Sequence, residues 1–389
     1  MKTLLMNFIK YQRWAYVCYF YICSFAIRLL KIFVKPDDKL IMFSCFGGMK
    51  YDDSPKEIYN SMVLNKKFEN YKFVWTFHNP EKFNINGANV VKTDTLKYFV
   101  TALKARVWIT NSSIERGLSF KGKHTLYVNT WHGTPIKKMG EDIQTSDELF
   151  VPIKKMNIDF MNVQGDFEAE IFSRIFSIPM KNMLKVGLPR NDKLAKSSES
   201  YSEAIRKKLD IPIGKKVILY APTFREYERN RENGCVLNIP IDIKKWKDTL
   251  GDKYFILFRA HYEVVKSMNI ENDEFIYDAS QYPDLDELMI ASDVLISDYS
   301  SIFFDFSIMD KMMFHFTYDY DKYKKERGMY FDIREWLSGS DNEDDLLKIL
   351  MNIDEEKEKE KNIKFRNKYV NYFGNAVEST IERINKEIN

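Results

Sequence analysis

Short apolar runs recur along the chain, and most of them end in a cluster of polar, glycine or proline positions. In the first half, residues 40–45 (LIMFSC), 73–77, 90–91, 107–110, 126–128 and 183–186 read as strands, and 160–163 is a further apolar segment. In the second half, 217–220, 254–258, 275–277, 294–296 and 312–316 read as strands, the last of them closing the series. Helical periodicity fills the intervals, most clearly at 244–250, 285–291 and 302–309, and a highly charged helical tail runs from Asp341. Regular alternation of strand and helix predicts parallel sheets wound on both sides. A polar, serine-rich stretch at 197–203 divides the pattern. The expectation is therefore an α/β protein of two doubly wound domains, 36–196 and 197–389, the second carrying the tail.

Residues 1–35 break this pattern. An uninterrupted apolar and aromatic run at 14–27 has Lys2, Lys10 and Arg13 before it and Arg28 and Lys31 after it. The run is shorter than the roughly 20 residues that span a bilayer, and extending it to Val34 takes in both later cations. No small-residue cleavage site follows. The expectation is a membrane-associating segment lying in the interface, its aromatics and cations meeting anionic headgroups. A helix docked on the protein's own core and a true transmembrane span are the alternatives.

Composition narrows the classes. A chain of 389 residues suits two domains, and 45% hydrophobic with 30% charged residues indicates a globular protein. A net charge of +3 argues against a nucleic-acid binder driven by bulk charge. Cys18, Cys23, Cys45 and Cys235 match no zinc motif and need no disulfide framework, which fits a reducing, cytoplasmic setting. The histidines, His78, His124, His132, His261 and His315, show no HxxxH or HExxH spacing, so a histidine-built metal site is not expected.

Ligands of doubly wound sheets gather at the carboxyl ends of strands, and the polar clusters fall there. The run at 126–128 leads into Trp131, His132, Gly133, Thr134 and Pro135. Glycine permits a sharp turn, Thr134 can cap a helix and Pro135 suits its first position. His132 is thus predicted beside helix amides, an anion site with a titratable imidazole, with Lys137 and Lys138 one turn later. A chance histidine on an ordinary strand-turn-helix is the plainer alternative. The segment GLPRND (187–192) places Arg190 and Asp192 at another strand end, and LYAPTFRE (219–226) places Thr223 and Arg225 at a third. Arg259 and His261 lie two apart on an extended segment, so they share a face suited to a diphosphate. Asp298, Tyr299, Ser300 and Ser301 offer two hydroxyls at a helix start, either a phosphate cradle or a plain serine cap. The pairs Asp284/Asp286 and Asp319/Asp321 have the DxD form of some metal sites, but the first opens a helix, where acids suit the dipole.

The ordered set TWHGTPIKKMG (130–140), GLPRND, LYAPTFRE, FRAH (258–261) and SDVLISDYSSIFFDF (292–306) resembles the CDP-glycerol glycerophosphotransferase family, over roughly residues 40–335. Within that family the chain looks most like the short teichoic acid glycerol-phosphate transferases. The resemblance implies a GT-B fold: two Rossmann-like domains with a cleft between them, the first for the acceptor and the second for CDP-glycerol. It implies an enzyme at the cytoplasmic face of the cell membrane, peripheral or monotopic, in wall teichoic acid synthesis. That enzyme would move glycerol phosphate from CDP-glycerol to an undecaprenyl-diphosphate-linked disaccharide and release CMP. At the matching positions His132 is the implied base and His261 a donor-phosphate contact, with Ser300 and Ser301 facing the donor phosphates. Arg259, Asp298 and Arg327, the last in an RG pair with Gly328, join the implied donor set. Gly133, Thr134, Arg190, Asp192, Thr223 and Arg225 are further candidates. Tyr262 stands where the family often has proline, so the turn after His261 departs from the pattern.

Such a transfer rests on positioning and electrostatics, and fixed cations with helix dipoles can substitute for a metal, so neither metal nor cofactor is expected. The motifs take up nearly the whole chain, and the small net charge offers no bulk basic track for a long polyanion. A priming enzyme that adds one or few units is therefore expected. The alternatives are a polymerising or CDP-ribitol-using relative, a GT-B nucleotide-sugar transferase, and a non-catalytic membrane protein that binds polyanions. The residues do not indicate an oligomeric state.

Overall fold

The computed structural model describes residues 12–143, 156–223, 225, 229–230, 234–235, 240–260 and 270–389. Each apolar run expected as a strand forms one. In the first half these are β1 Asp37–Ser44, β2 Lys72–Phe77, β3 Ala88–Lys92, β4 Ala105–Thr110, β5 Leu126–Asn129, β6 Phe160–Val163 and β7 Met183–Lys185. They make one parallel sheet in the order β3-β2-β1-β4-β5-β6-β7. Alternate residues on a strand face opposite ways, and both faces here are covered. Ile41, Phe43, Val107 and Ile109 pack with Ile58 and Met62 of the helix Asp53–Leu64. Met42 and Trp108 pack on the other side with Tyr98, Ala102 and Phe172.

The second half holds β8 Lys216–Tyr220, a two-residue antiparallel pair β9 Arg229–Asn230 and β10 Gly234–Cys235, then β11 Tyr254–Phe258, β12 Ile276–Asp278, β13 Val294–Ser297, β14 Met312–Phe316 and β15 Ser338–Ser340. Its parallel sheet runs β12-β11-β8-β13-β14-β15. Val217, Leu219 and Leu295 face one core with Leu288, Phe303 and Phe365, while Ile218, Tyr220 and Ile296 face another with Trp246, Leu346 and Leu350. The strand at 312–316 is not the last. The sequence Ser-Gly-Ser at 338–340 has no apolar signal and becomes an edge strand by backbone pairing to Phe314, His315 and Phe316.

Two other expectations change. The division at 197 gave the whole tail to the second half, but its last helix, Ala376–Ile388, packs Ile381 and Ile384 on the first sheet. The helix expected after His132 does not form. Lys137 pairs with Met329 as an antiparallel bridge, Lys138 N donates to Gly328 O, and Tyr330 N donates to Ile136 O. Strand-like pairing with the second half thus takes the groups a helix would have used.

Among its described residues, the N-terminal segment forms the helix Arg13–Leu30, extended by a 3-10 turn at Lys31–Phe33. One face docks on the first half: Ser24 Oγ accepts from Ser119 N, Arg28 donates to Ser119 O and Oγ, and Ile27 joins the core. The opposite face exposes Trp14, Tyr21, Ile22, Phe25, Ile32 and Phe33, the last at 84%. The stretch Trp14–Phe33 is long and apolar enough to cross a membrane, yet Arg28 is tied to the body of the protein.

Candidate active site between the two sheets

The carboxyl end of β5 carries the imidazole. Asn129 Oδ1 accepts from Trp131 N at 2.8 Å, and its amide donates to Ser112 O, so one side chain turns the strand outward. Trp131 takes a positive φ of 48° and stacks on His132 with ring centroids 4.2 Å apart. His132 Nδ1 lies 2.8 Å from Asn111 O. A carbonyl oxygen only accepts, so Nδ1 carries the proton and Nε2 keeps a lone pair. Burial holds the His132 pKa below its ordinary value, against the Asn111 hydrogen bond and the charge of Asp53, while Arg190 works with burial. At neutral pH this is a neutral imidazole oriented to accept a proton.

The next residue makes the contact between the halves. Gly133 has φ of 143°, and a Cβ there would lie 2.7 Å from Ser301 Cβ and 3.5 Å from Arg190 Nη2. Only glycine lets the loop meet the Ser300–Ser301 turn so closely. Thr134 is fully buried and donates to Glu168, whose other oxygen accepts from Gln164 N. Gln164 Nε2 donates to Thr134 Oγ1, and Gln164 Oε1 accepts from Asn191. Asn191 donates to Asp305 at 2.7 Å. Arg190 then joins Asp53 at 2.6 Å to Asp305 at 2.8 Å. Burial works against the Arg190 charge, but Asp305 and Asp53 outweigh it and raise its pKa. Burial pushes the Glu168 carboxyl up to about 7, against its hydrogen bonds from Thr134 and Gln164.

At the ends of β8 and β13 the polar groups turn inward. Arg225 is 1% exposed and bridges Asp298 and Asp319, with its Nη1 also donating to Thr223 O. Its guanidinium lies 5.0–5.1 Å from the ring centres of Tyr299, Tyr318 and Tyr323. Asp298 also accepts from Thr223 N and Tyr299 N. Asp298 and Arg225 therefore spend much of their hydrogen-bonding capacity on each other and on the turns around them. Ser300 Oγ accepts from Ile302 N at 3.3 Å, the capping reading, and the helix it starts, Ile302–Ser307, is shorter than expected. Ser301 makes no capping bond and instead abuts Gly133.

The remaining candidates separate. Asp192 accepts from Ala376 N and Val377 N and so caps the start of the last helix. Arg259 Nη1 donates to Ala279 O and Tyr282 O, committing part of its guanidinium to that turn. Arg327 ends the helix Tyr320–Arg327, next to Gly328, which rests on the Lys138 side chain. His261 and Tyr262 lie outside the described residues. Asp284 caps its helix through Asp286 N and Glu287 N, as its position at a helix start suggested, and Asp319 holds Arg225. Among the described residues no group of three or more His, Cys, Asp or Glu is placed to hold a metal ion. The sequence reading missed Asp53, Asn111, Gln164, Glu168 and Asp305. Asp305 carried a signal, a carboxylate inside the apolar run IFFDF.

The chain is an α/β protein of two parallel sheets that approach each other at an imidazole-bearing loop. Residues 27–386 match the family described as CDP-Glycerol:Poly(glycerophosphate) glycerophosphotransferase. The chain belongs to that family and is a glycerophosphotransferase. A teichoic acid glycerol-phosphate transferase of Staphylococcus aureus is 34% identical over 343 residues, covering 82% of this chain and 85% of that one. A teichoic acid poly(glycerol phosphate) polymerase of Staphylococcus epidermidis is 37% identical over 320 residues, covering 79% of this chain; the match takes up 44% of that longer protein. A variant of the wall teichoic acid polymerase TagF has a solved structure that matches with a TM-score of 0.84 at 32% identity, covering 96% of this chain and 95% of that one.

Proposed function

We propose that this protein transfers glycerol phosphate from CDP-glycerol to an undecaprenyl-diphosphate-linked acceptor in wall teichoic acid synthesis and releases CMP. The observation that carries the reading is the neutral His132 imidazole, its Nδ1 held by Asn111, one residue from the contact between Gly133 and Ser301. In this reading the two units form a GT-B pair, the first for the acceptor and the second for the donor. The acceptor hydroxyl oxygen attacks the phosphorus that bears glycerol, and its proton passes to His132 Nε2. The bond from that phosphorus to the bridging oxygen breaks, and CMP leaves with the electron pair. Ser301 and the turn it shares with Ser300 face the charge that grows on the donor, with His261 and Arg327 as further donor contacts. Arg225 and Asp298 act through the turn that they support.

A CMP-release assay tests this directly. CDP-glycerol, CDP-ribitol and a nucleotide sugar are each offered with a defined lipid-linked disaccharide, with and without one glycerol phosphate already attached. CMP from CDP-glycerol alone, dependent on acceptor, is the expected result. CMP from CDP-ribitol at a higher rate would move the donor assignment. Mass spectrometry of the product at large donor excess sharpens it further. The small net charge favours one or few added units, and a long ladder would make this a polymerase.

The outer face of the helix Arg13–Leu30 supports a monotopic seat on the membrane, with the catalytic body held on the cytoplasmic side. Replacing Ile22, Phe25 and Ile32 by serine leaves the docked face intact and is expected to abolish pelleting with anionic vesicles. Unchanged pelleting would place the anchor elsewhere.

A further inference from the structure

Two cations between the halves, Arg190 and Lys193, are each clasped from both sides. Arg190 donates to Asp53 at 2.6 Å and to Asp305 at 2.8 Å. Lys193 lies 2.9 Å from Glu57, 3.7 Å from Asp284 and 3.9 Å from Asp286. Asp53 and Glu57 are i and i+4 on the helix Asp53–Leu64, so they present one acidic edge of the first unit. Asp305, Asp284 and Asp286 belong to the second unit. The inner rung is the buried one: the side chains of Arg190, Asp53 and Asp305 are 12%, 5% and 6% exposed.

What distinguishes this rung is where its two ends lie. Asp53 bears on the charge of His132, and it is held at a positive φ of 61°, a strained backbone for an aspartate. Asp305 sits on the helix Ile302–Ser307, which the Ser300–Ser301 turn opens. Gly133 reaches both Ser301 and Arg190. Among the described residues, the Asn111 carbonyl and the rings of Trp131 and Phe46 also border the imidazole. Among the described residues, Asp53 and Arg190 are charged groups that bear on its protonation, with opposite signs.

We propose that Arg190 is the positioning residue of the transfer: one guanidinium ties Asp53, on the helix Asp53–Leu64, to Asp305, on the helix that the Ser300–Ser301 turn opens. It sets the distance between base and donor and also offsets the negative charge of Asp53 that bears on the imidazole. Neither Asp53 nor Asp305 touches substrate in this assignment. The proposal rests on His132 as the base, and its test separates the two claims.

The experiment follows the His132 imidazole by NMR across pH in the full chain, with its signal assigned by its loss in His132→Gln. CMP release is measured across the same range. Arg190→Gln leaves Asp53 uncompensated, so the His132 titration and the acid limb of kcat should both move to higher pH. Arg190→Lys, which keeps the charge, and the double variant Arg190→Gln with Asp53→Asn, which removes both charges, should bring the titration back toward the parent. Asp305→Asn weakens the tie to the second unit and keeps the charges of Asp53 and Arg190. It should lower kcat/KM for the donor by about 10- to 100-fold with no movement of the His132 titration. A folded Arg190→Gln protein whose imidazole titrates as in the parent would overturn the proposal, and so would an Asp305→Asn protein with parent kinetics. Should Arg190→Gln fail to fold, Asp53→Asn alone must shift the titration to lower pH, and no shift would overturn it equally. If His132→Ala kept full CMP release, the base assignment would fall while the titration shifts would still report the bridge.

Discussion

The carboxyl ends of β5 and β13 carry similar polar clusters, yet they do opposite things with their charge. At β5, His132 gives one nitrogen to Asn111 O and keeps the other, its stacking partner Trp131 fixing the plane. At β13, Asp298 is 2% exposed and its oxygens are used by Arg225, Thr223 and Tyr299. The first region holds an imidazole in one orientation and leaves its second nitrogen unspent on the fold. The second saturates its groups to make a rigid wall, and the turn at Ser300–Ser301 stands on it. A polar residue at a strand end is open to a ligand only as far as its hydrogen-bonding capacity is not already spent on the fold.

The sharpest way to break that contrast is to remove the centre of each region. Arg225→Ala leaves Asp298 and Asp319 without their common cation, and losing one partner of a buried pair costs about 3–5 kcal/mol. Urea unfolding should show this as a lower midpoint, with activity lost in proportion; a parent-like midpoint would mean that the cage does not support the fold. His132→Ala should do the reverse, leaving the midpoint near the parent while CMP release falls about 10²–10³-fold or more. A near-parent rate would take the imidazole out of the mechanism.

Gly133→Ala probes the line between the regions. The added methyl meets Ser301 at a φ that alanine rarely adopts, so a loss of about 1–3 kcal/mol is expected, with kcat reduced more than stability alone explains. Crystallographic comparison should show the loop and the serine turn moved apart. The last effect, confined to a window of pH, belongs to Glu168. Its pKa, raised by burial from 4.5 to about 7, means that the folded state holds this proton more tightly than the unfolded chain. That contribution is complete below about pH 4.5 and is lost as pH rises through about 7. Glu168→Gln should flatten the fall in stability between these limits, by about 3 kcal/mol at most. An unchanged slope would show that the carboxyl titrates normally.

Much of the fold was legible in the chain. The apolar runs at 40–45, 107–110, 217–220 and 254–258 are buried on both faces, and such strands announce themselves by composition. Their order and the helices between them allowed only a parallel, doubly wound solution. His132, Gly133 and the serine turn were also legible, because a histidine and a glycine at a strand end are chemically distinctive.

Tertiary structure decided the rest. The stretch after Thr134 reads as a helix start, but residues 136–138 find pairing partners at 328–330, nearly two hundred residues away, and local propensity yields to that pairing. Ser338–Ser340 is a strand only because β14 offers it an open edge. Asp192 and Arg225 look like site residues in sequence, and the structure uses their charge to cap the last helix and to bind two acids. Asp53, Glu168 and Asp305 look ordinary, and the structure gathers them around Thr134 and Arg190. Sequence determines which residues can carry a charge or a proton; only the packed fold determines how much of that capacity is left over, because each hydrogen bond made inside removes one from the site.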